Sequence, residues 1–297
     1  MRAVVTGGAG FIGSNLVDAL VDRGDDVTVV DNFASGKHEN MNVAATLLEH
    51  DIREPFSVDA DVFFHLAAQA DVQTSMKDPG YDAAVNVVGT VNVLASSDRA
   101  QVIFASSGGA GYGECAAPAD EQAPFLPLSP YGIAKKCGEE YLAGWNRIHG
   151  SSHVSLRFAN VYGPRQDAGL EGGVVAIFFE RMARGEETVI LGDGLHSRDF
   201  VYVGDVVASL LATVGHGGGP YNVGTGRDTT VAQLHEACAR VAGSDAEPRH
   251  EQARLGDVRR SVIDSGLIAR ELGWSAETSL DDGLARTWAW MQERAAP

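Results

Sequence analysis

Short apolar runs alternate with amphipathic stretches through the first half of this 297-residue chain. Residues 2–6 form an apolar run that stops at a glycine cluster, the pattern of a strand buried on both faces. A helix is predicted from those glycines to about Arg23, and a second strand over 26–31. The same reading places strands near 46–50, at 61–66, 101–105 and 153–158, helices over 81–97 and 130–149, and loops at 32–40 and 118–130. Strands and helices in alternation predict an α/β fold, a doubly wound parallel sheet. After residue 165 the pattern breaks. A loop at 169–173 leads to a helix at 174–184, a strand at 188–191, a helix at 204–214, a short strand at 221–224 and a helix at 231–241. A basic loop at 254–260 and a last helix over about 280–293 follow. The expected division is a sheet domain at 1–165 and a smaller α+β lobe at 166–297, with the segment about 196–227 returning to the first.

Gly7, Gly10 and Gly13 lie where the first strand passes into the first helix. In such a unit Gly7 permits a tight turn, Gly10 lets the backbone approach a pyrophosphate, and Gly13 allows the helix to pack closely on the strand. Asp31 ends the second strand, placed to bind a ribose 2′-hydroxyl. A carboxylate there repels a 2′-phosphate, so NAD is expected over NADP. Asp51 can accept from an adenine amino group or simply end a strand. His65 reads as structural. Ala67, Ala68, Gln69 and Ala70 follow it, mostly small residues that suit close contact with a cofactor at a strand's end. Asn86 can bind backbone near the helix at 130–149 or face solvent. A serine at the end of the fifth strand, Ser106 or Ser107, can enter the same crevice or cap a turn.

Ser129-Pro130-Tyr131-Gly132-Ile133-Ala134-Lys135 opens the long helix. Ser129 can cap its N-terminus, and Pro130 suits the first turn. Tyr131 and Lys135 then share one face. A free phenol ionises near pH 10 and is a poor base at pH 7. Lowering that value by roughly three units needs about 4 kcal/mol in favour of the phenolate. One ammonium at about 4 Å supplies that order at an effective dielectric near 20, and the helix N-terminus adds to it. The spacing can therefore make a tyrosine that takes a proton at neutral pH. A bare Y-x-x-x-K recurs by chance; the glycine loop and the sheet pattern give this one its weight.

Composition narrows the partners. The formal charge of −17 argues against nucleic acid and anionic membranes. A local arginine cluster can still bind an anionic substrate. Cys115, Cys137 and Cys238 have no metal-ligand spacing, so no metal is expected and the reduced cytoplasm is the predicted compartment. The N-terminus runs straight into an apolar strand, leaving no room for a signal peptide. No apolar run approaches the roughly 20 residues of a membrane span.

Four stretches then stand in order along nearly the whole chain: Thr6-Gly7-Gly8-Ala9-Gly10-Phe11-Ile12-Gly13, Tyr131 with Lys135, Arg157-Phe158-Ala159-Asn160-Val161-Tyr162-Gly163-Pro164, and Arg198-Asp199-Phe200-Val201-Tyr202-Val203. With them the sequence resembles the extended short-chain dehydrogenase/reductase superfamily, in its NAD-dependent nucleotide-sugar epimerase/dehydratase branch. Within that branch it is most similar to bacterial UDP-glucose 4-epimerases. The glycine spacing, G-x-x-G-x-x-G, is the one associated with short-chain dehydrogenases. The resemblance implies a Rossmann-type sheet and 4-epimerisation of a UDP-sugar, UDP-glucose and UDP-galactose first. Tyr131 would take the proton of the 4-hydroxyl while hydride leaves C4 for NAD. The keto sugar would turn over in the pocket and receive both on its other face. NAD would be regenerated at each turnover and stay bound. Lys135 would hold the nicotinamide ribose and lower the Tyr131 pKa. Ser107 matches the family's Ser/Thr position, with Ser106 as the fallback.

The resemblance also implies cofactor contacts from Phe11 and Ile12, from Asn32, Ser35 and Gly36 beside Asp31, and from Asp51 with Ile52. Leu66, Ala67, Ala68, Gln69 and Asn86 complete that set. On the substrate side it implies that Asn160 contacts the diphosphate region and that Arg198 and Arg254 pair with phosphates through their planar donor forks. Asp257 would hold the nucleotide ribose, Val174 and Val175 would lie near the uracil, and Ser261 near the sugar. A small residue at Ser261 leaves space for an N-acetyl group. UDP-N-acetylglucosamine is thus a second candidate substrate and UDP-glucuronate a third. Dehydratases and decarboxylase-type relatives carry an acid just after the Ser/Thr. Here Gly108, Gly109, Ala110 and Gly111 follow, and Glu114 lies beyond Tyr112-Gly113. NAD-sensing relatives without turnover often lack the Tyr–Lys pair. A homodimer through the helices around 81–97 and 130–149 is implied as well.

Overall fold

The computed structural model describes residues 1–169, 173–253 and 258–295. Seven parallel strands form the main sheet of the described residues. Their order is Tyr221–Val223, Val154–Phe158, Gln101–Ser107, Val62–His65, Arg2–Thr6, Asp26–Asp31 and Thr46–Glu49. Side chains along a strand alternate between faces, and here they feed two cores. Val5, Val29, Phe64 and Ile103 enter one, where Leu16 and Leu20 of helix Phe11–Asp22 and Val206 and Leu210 of helix Val203–Ala212 cover them. Val4, Val30, Phe63 and Val102 enter the other, under Leu94 and Leu142. Burial on both faces explains why the strands read as unbroken apolar runs.

The chain builds outward from Arg2–Thr6 on one side, then crosses back and builds outward on the other. The direction reverses between Arg2–Thr6 and Val62–His65, whose last paired residues are Thr6 and His65. At such a switch point a crevice opens above the carboxyl ends of the strands. Gly7 follows the end of the first strand, Asp31 ends the second and Ser107 ends the fifth.

A third core belongs to the smaller lobe. Phe178 and Phe179, from helix Val174–Ala183, meet Leu234 and Cys238 of helix Val231–Ala242 and Leu284 of helix Leu280–Ala295. Strand Ser197–Arg198 lies between Thr229–Thr230 and Arg260–Ser261, and Phe200–Tyr202 pairs with Asn160–Tyr162. These two- and three-residue strands carry too little pattern to be foreseen.

One helix departs from its sequence pattern. The predicted helix at 81–97 is a continuous helical run with a π turn, Ala84–Val88, between Pro79–Ala83 and Gly89–Ser96. The wider turn breaks the 3.6-residue period, and such turns occur often at functional sites. Helix Val72–Lys77 precedes this run, capped by the Asp71 carboxylate, and was not foreseen because six residues hold too little periodicity. No described helix is long and apolar enough to cross a membrane.

Candidate active site

A cleft of about 1100 Å³ opens above the switch point. Its lining extends from the glycine loop past Tyr131 to Phe178 and Phe200 of the smaller lobe. Gly7 sits at φ +72°, and a Cβ there would lie 2.7 Å from Ala67 N. A Cβ on Gly13 would lie 2.0 Å from Gly7 O, so the helix meets the loop with no room for a side chain. No side chain caps helix Phe11–Asp22 at Gly10, and Phe11 and Ile12 line the cleft at its N-terminus. An anionic group can take the capping place, and the pyrophosphate of NAD fits it.

The Asp31 carboxylate is aimed by backbone. Oδ2 accepts from Ala9 N at 3.0 Å and Oδ1 from Phe33 N at 2.8 Å. Asn32 and Ser35 line the cleft beside it. Gly36 does not; it packs on the carboxylate, where a Cβ would lie 2.8 Å from Asp31 Oδ1. Asp51 and Ile52 also line the cleft. The side chain of Arg53 holds the Asp51 carboxyl well below its ordinary range, and Asn32 Nδ2 donates to it as well.

Leu66, Ala67, Ala68 and Gln69 form the wall after the fourth strand. Asn86 is not part of that lining, nor is it solvated. It is buried in the π turn, where Oδ1 accepts from Gln69 N at 3.0 Å and Nδ2 donates to Gln69 O at 2.9 Å. Asn86 therefore shapes the wall from behind, and its backbone partner is Gln69 rather than the helix at 130–149. His65 lies beneath this wall, fully buried. Thr90 donates to Asn86 O and so accepts from His65 Nε2, while Thr6 Oγ1 bonds His65 Nδ1 at 2.8 Å. Burial pushes the imidazole down to about 3, so it stays neutral. Its place is structural, bridging the first strand to helix Gly89–Ser96, which follows the π turn.

Ser129 Oγ accepts from Gly132 N and starts helix Pro130–His149. Tyr131 and Lys135 both line the cleft. Lys135 is 4% exposed. Its Nζ donates to Ala105 O at 2.8 Å and stands 5.7 Å from the Tyr131 ring centroid. Desolvation brings its pKa down to about 8, against the opposing pull of Asp82 and Glu139. Ser107 lines the cleft and caps the short helix Gly108–Gly111, its Oγ accepting from Ala110 N at 3.2 Å. Ser106 is buried and gives its proton to Glu139 Oε1 at 2.5 Å. Ser106 lines the cleft as well, but its hydroxyl proton is taken by Glu139, whereas the Ser107 hydroxyl accepts from Ala110 N. The Glu114 carboxylate accepts from the backbone N–H groups of Arg259 and Arg260.

Asn160, Val174, Val175 and Arg198 line the far part of the cleft. Arg198 Nη1 donates to Ser197 O. Ser261 is buried and is not part of the cleft lining; its strand pairing sets it opposite Arg198, which is. Arg254 and Asp257 lie outside the described residues. The sequence reading missed Asp71, Gln73 and Thr74, which face the cleft from the start of helix Val72–Lys77, and His196, beside Arg198. Asp71 carries a cap signal, accepting from Gln73 N and Thr74 N. Nothing in the sequence says that this helix start faces the cleft.

A dinucleotide-binding sheet with a Tyr–Lys pair beside its switch point defines a short-chain dehydrogenase/reductase. The chain matches the NAD dependent epimerase/dehydratase family over residues 3–224 and belongs to it. It is 42% identical over 304 residues to the UDP-glucose 4-epimerase of Mycolicibacterium smegmatis, covering 97% of each chain. The crystal structure of UDP-glucose 4-epimerase with UDP-glucose from Thermotoga maritima superposes with a TM-score of 0.94 at 44% identity, over 99% of this chain and 100% of that one. A UDP-N-acetylglucosamine 4-epimerase from Methanobrevibacter ruminantium, in complex with UDP-N-acetylmuramic acid, superposes with a TM-score of 0.93 at 34% identity, over 99% and 98%.

The buried ammonium has a measurable consequence. Unfolded, Lys135 titrates near its ordinary 10.5; folded, near 8. Between those values the unfolded chain binds the extra proton, so this residue's contribution to stability rises with pH. Below about pH 8 both states are protonated and that contribution is gone. The cofactor-free Lys135→Met variant is therefore expected to melt above the wild type at pH 7. The gap should narrow as the pH rises from 8 toward 10.5. Thermal melts at pH 7 and pH 10 check this, and a variant that melts lower at pH 7 would count against it.

Proposed function

We infer that this protein interconverts the C4 epimers of a nucleotide sugar, UDP-glucose and UDP-galactose first, with NAD as its resident cofactor. The observation that carries the reading is one cleft that brings Tyr131, Lys135 and Ser107 together with the glycine loop and with Arg198 and Asn160. The likeness to UDP-glucose 4-epimerases over nearly the full length supports it. Bound NAD supplies the hydride acceptor and donor at the sugar's C4. The first-turn N–H groups at Phe11 and Ile12 would hold its pyrophosphate, and Asp31 its adenosine ribose.

Tyr131 takes the proton of the 4-hydroxyl and later returns it, as general base and then general acid. Ser107 donates to the same oxygen. Lys135 places a positive charge by the phenol and favours its ionised form. Arg198 and Asn160 hold the diphosphate; Arg254 and Asp257 are assigned to the phosphates and the nucleotide ribose, and Val174 and Val175 to the base. Both half-reactions occur at one carbon, so one proton carrier suffices. The run Gly108–Gly111 suits this, since an elimination needs an acid beside Ser107 and this run has none. The likeness to a UDP-N-acetylglucosamine 4-epimerase favours that sugar as a second substrate.

We assign cofactor binding to residues 1–165 with the returning segment at about 196–227, and substrate binding mainly to 166–297. Strand Tyr221–Val223 at the edge of the main sheet supports the return. The free cysteines Cys115, Cys137 and Cys238 accord with a reducing, cytoplasmic location. The protein works as a homodimer in this reading. Ile133, Tyr141 and Ile148 share one face of helix Pro130–His149, and they and Val88 of the π turn are exposed. An apolar stripe of this kind fits a two-fold interface.

NMR of purified protein with UDP-galactose should show UDP-glucose appearing without added cofactor. Tyr131→Phe should lower that rate about 10²–10⁴-fold while NAD stays bound. Turnover of UDP-N-acetylglucosamine alone would move the assignment to the second sugar. A 4-keto-6-deoxy product would overturn the case against elimination. For the dimer, light scattering should report two chains in the wild type and one in the Ile133→Glu/Tyr141→Glu variant. A monomeric wild type would end the dimer proposal.

A further inference from the structure

Helix Pro130–His149 carries a third polar residue near the Tyr131–Lys135 face. Glu139 lies one turn beyond Lys135. Its side chain is 10% exposed, and that of its partner Arg157 is 8% exposed. Arg157 donates to the carboxylate from Nε at 2.9 and 3.1 Å and from Nη2 at 2.6 Å. Such a pair gives up two hydration shells, so its burial is weak evidence for stability. Its neighbours suggest another use.

Glu139 Oε1 also accepts from Ser106 Oγ at 2.5 Å. One residue earlier in the same strand, Ala105 O accepts from Lys135 Nζ at 2.8 Å. Two successive residues of Gln101–Ser107 are therefore pinned to the helix that bears Tyr131, and Ser107 comes next. The far side of the clamp is fixed as well. Arg157 Nη1 donates to the Tyr112 hydroxyl at 2.7 Å, and that hydroxyl donates to Asn222 Oδ1 at 2.8 Å. The Phe125 ring lies 4.2 Å from the guanidinium. The carboxylate thus has little freedom to follow a moving strand; the strand must follow it.

We propose that Glu139 is a positioning residue. By holding Ser106 against the Tyr131 helix, it sets the direction in which Ser107 presents its hydroxyl to the reacting oxygen. Successive strand residues point to opposite sides, so a fixed Ser106 fixes the side on which Ser107 emerges. Without that grip the strand end is free to turn at Ser107, whose Oγ already accepts from Ala110 N. Small misplacement of a group that must meet a reacting atom is costly in rate. The proposal rests on the epimerase reading.

The test is a double-mutant cycle on the cofactor-loaded enzyme with UDP-galactose as substrate. Its members are the wild type, Ser106→Ala, Ser107→Ala and the double variant. Ser106→Ala removes the donor and leaves the Glu139–Arg157 pair in place, so the fold keeps its ion pair. It should lower kcat by about ten- to hundredfold, with KM and NAD content nearly unchanged. In the Ser107→Ala background the same change should cost nothing further, because no hydroxyl remains to be aimed. A wild-type kcat in Ser106→Ala would overturn the proposal. So would a loss of equal size in both backgrounds, or a loss accompanied by a matching rise in KM or by lost NAD. A wild type inert toward both UDP-galactose and UDP-N-acetylglucosamine would instead sink the epimerase reading, and this proposal with it.

Discussion

The cleft depends on an ammonium kept out of water. Lys135 has one protein acceptor close by, the carbonyl of Ala105, and desolvation works against its charge. Two buried carboxylates favour that charge, Asp82 and Glu139. Each is anchored by other groups: Asp82 by the amides of Gln69 and Asn86, Glu139 by Arg157 and Ser106. The anchors reach back into the π turn, the wall after the fourth strand, and the fifth and sixth strands. A charge that pays a desolvation penalty is therefore a reason for much of the polar order around it. Strain of this kind gathers where chemistry is done.

The sheet supplies the place and the glycine loop supplies the vacancy. Strand order reverses beside Thr6 and His65, which opens the crevice. Gly7 and Gly13 bring helix, loop and fourth-strand wall together with no side chain between them. His65, neutral and bonded to two threonines, ties the first strand to helix Gly89–Ser96. The far end of the cleft is built differently, from very short strands that meet around Arg198. One half is a stiff parallel sheet. The other is an assembly of loops and small strands, suited to reading a ligand.

The parts legible in the sequence were those governed by local rules. Buried parallel strands read as apolar runs, which marked the inner strands of the main sheet; the largely exposed edge strand Thr46–Glu49 was marked by its short apolar pair, and the alternation of strands with helices named the architecture. The glycine loop and the Tyr131–Lys135 spacing follow from backbone sterics and helix geometry. Their meeting in one cleft needed only the rule that such crevices open at strand ends.

What the sequence could not decide turned on contacts between segments far apart in the chain. Ser106 and Ser107 are alike in local pattern and both line the cleft; only the approach of Glu139, 33 positions on, takes up the Ser106 hydroxyl proton. Asn86 and Gln69 find each other through a π turn that helical periodicity does not announce. Ser261 is buried opposite Arg198 by a strand pairing that two residues of pattern could not announce. By itself the sequence determined the fold, the glycine loop and the shared helix face of Tyr131 and Lys135, because each is written in spacings of a few residues. The tertiary structure alone decided which polar groups are spent on one another and which are left to face a ligand, because that depends on what packs against each of them.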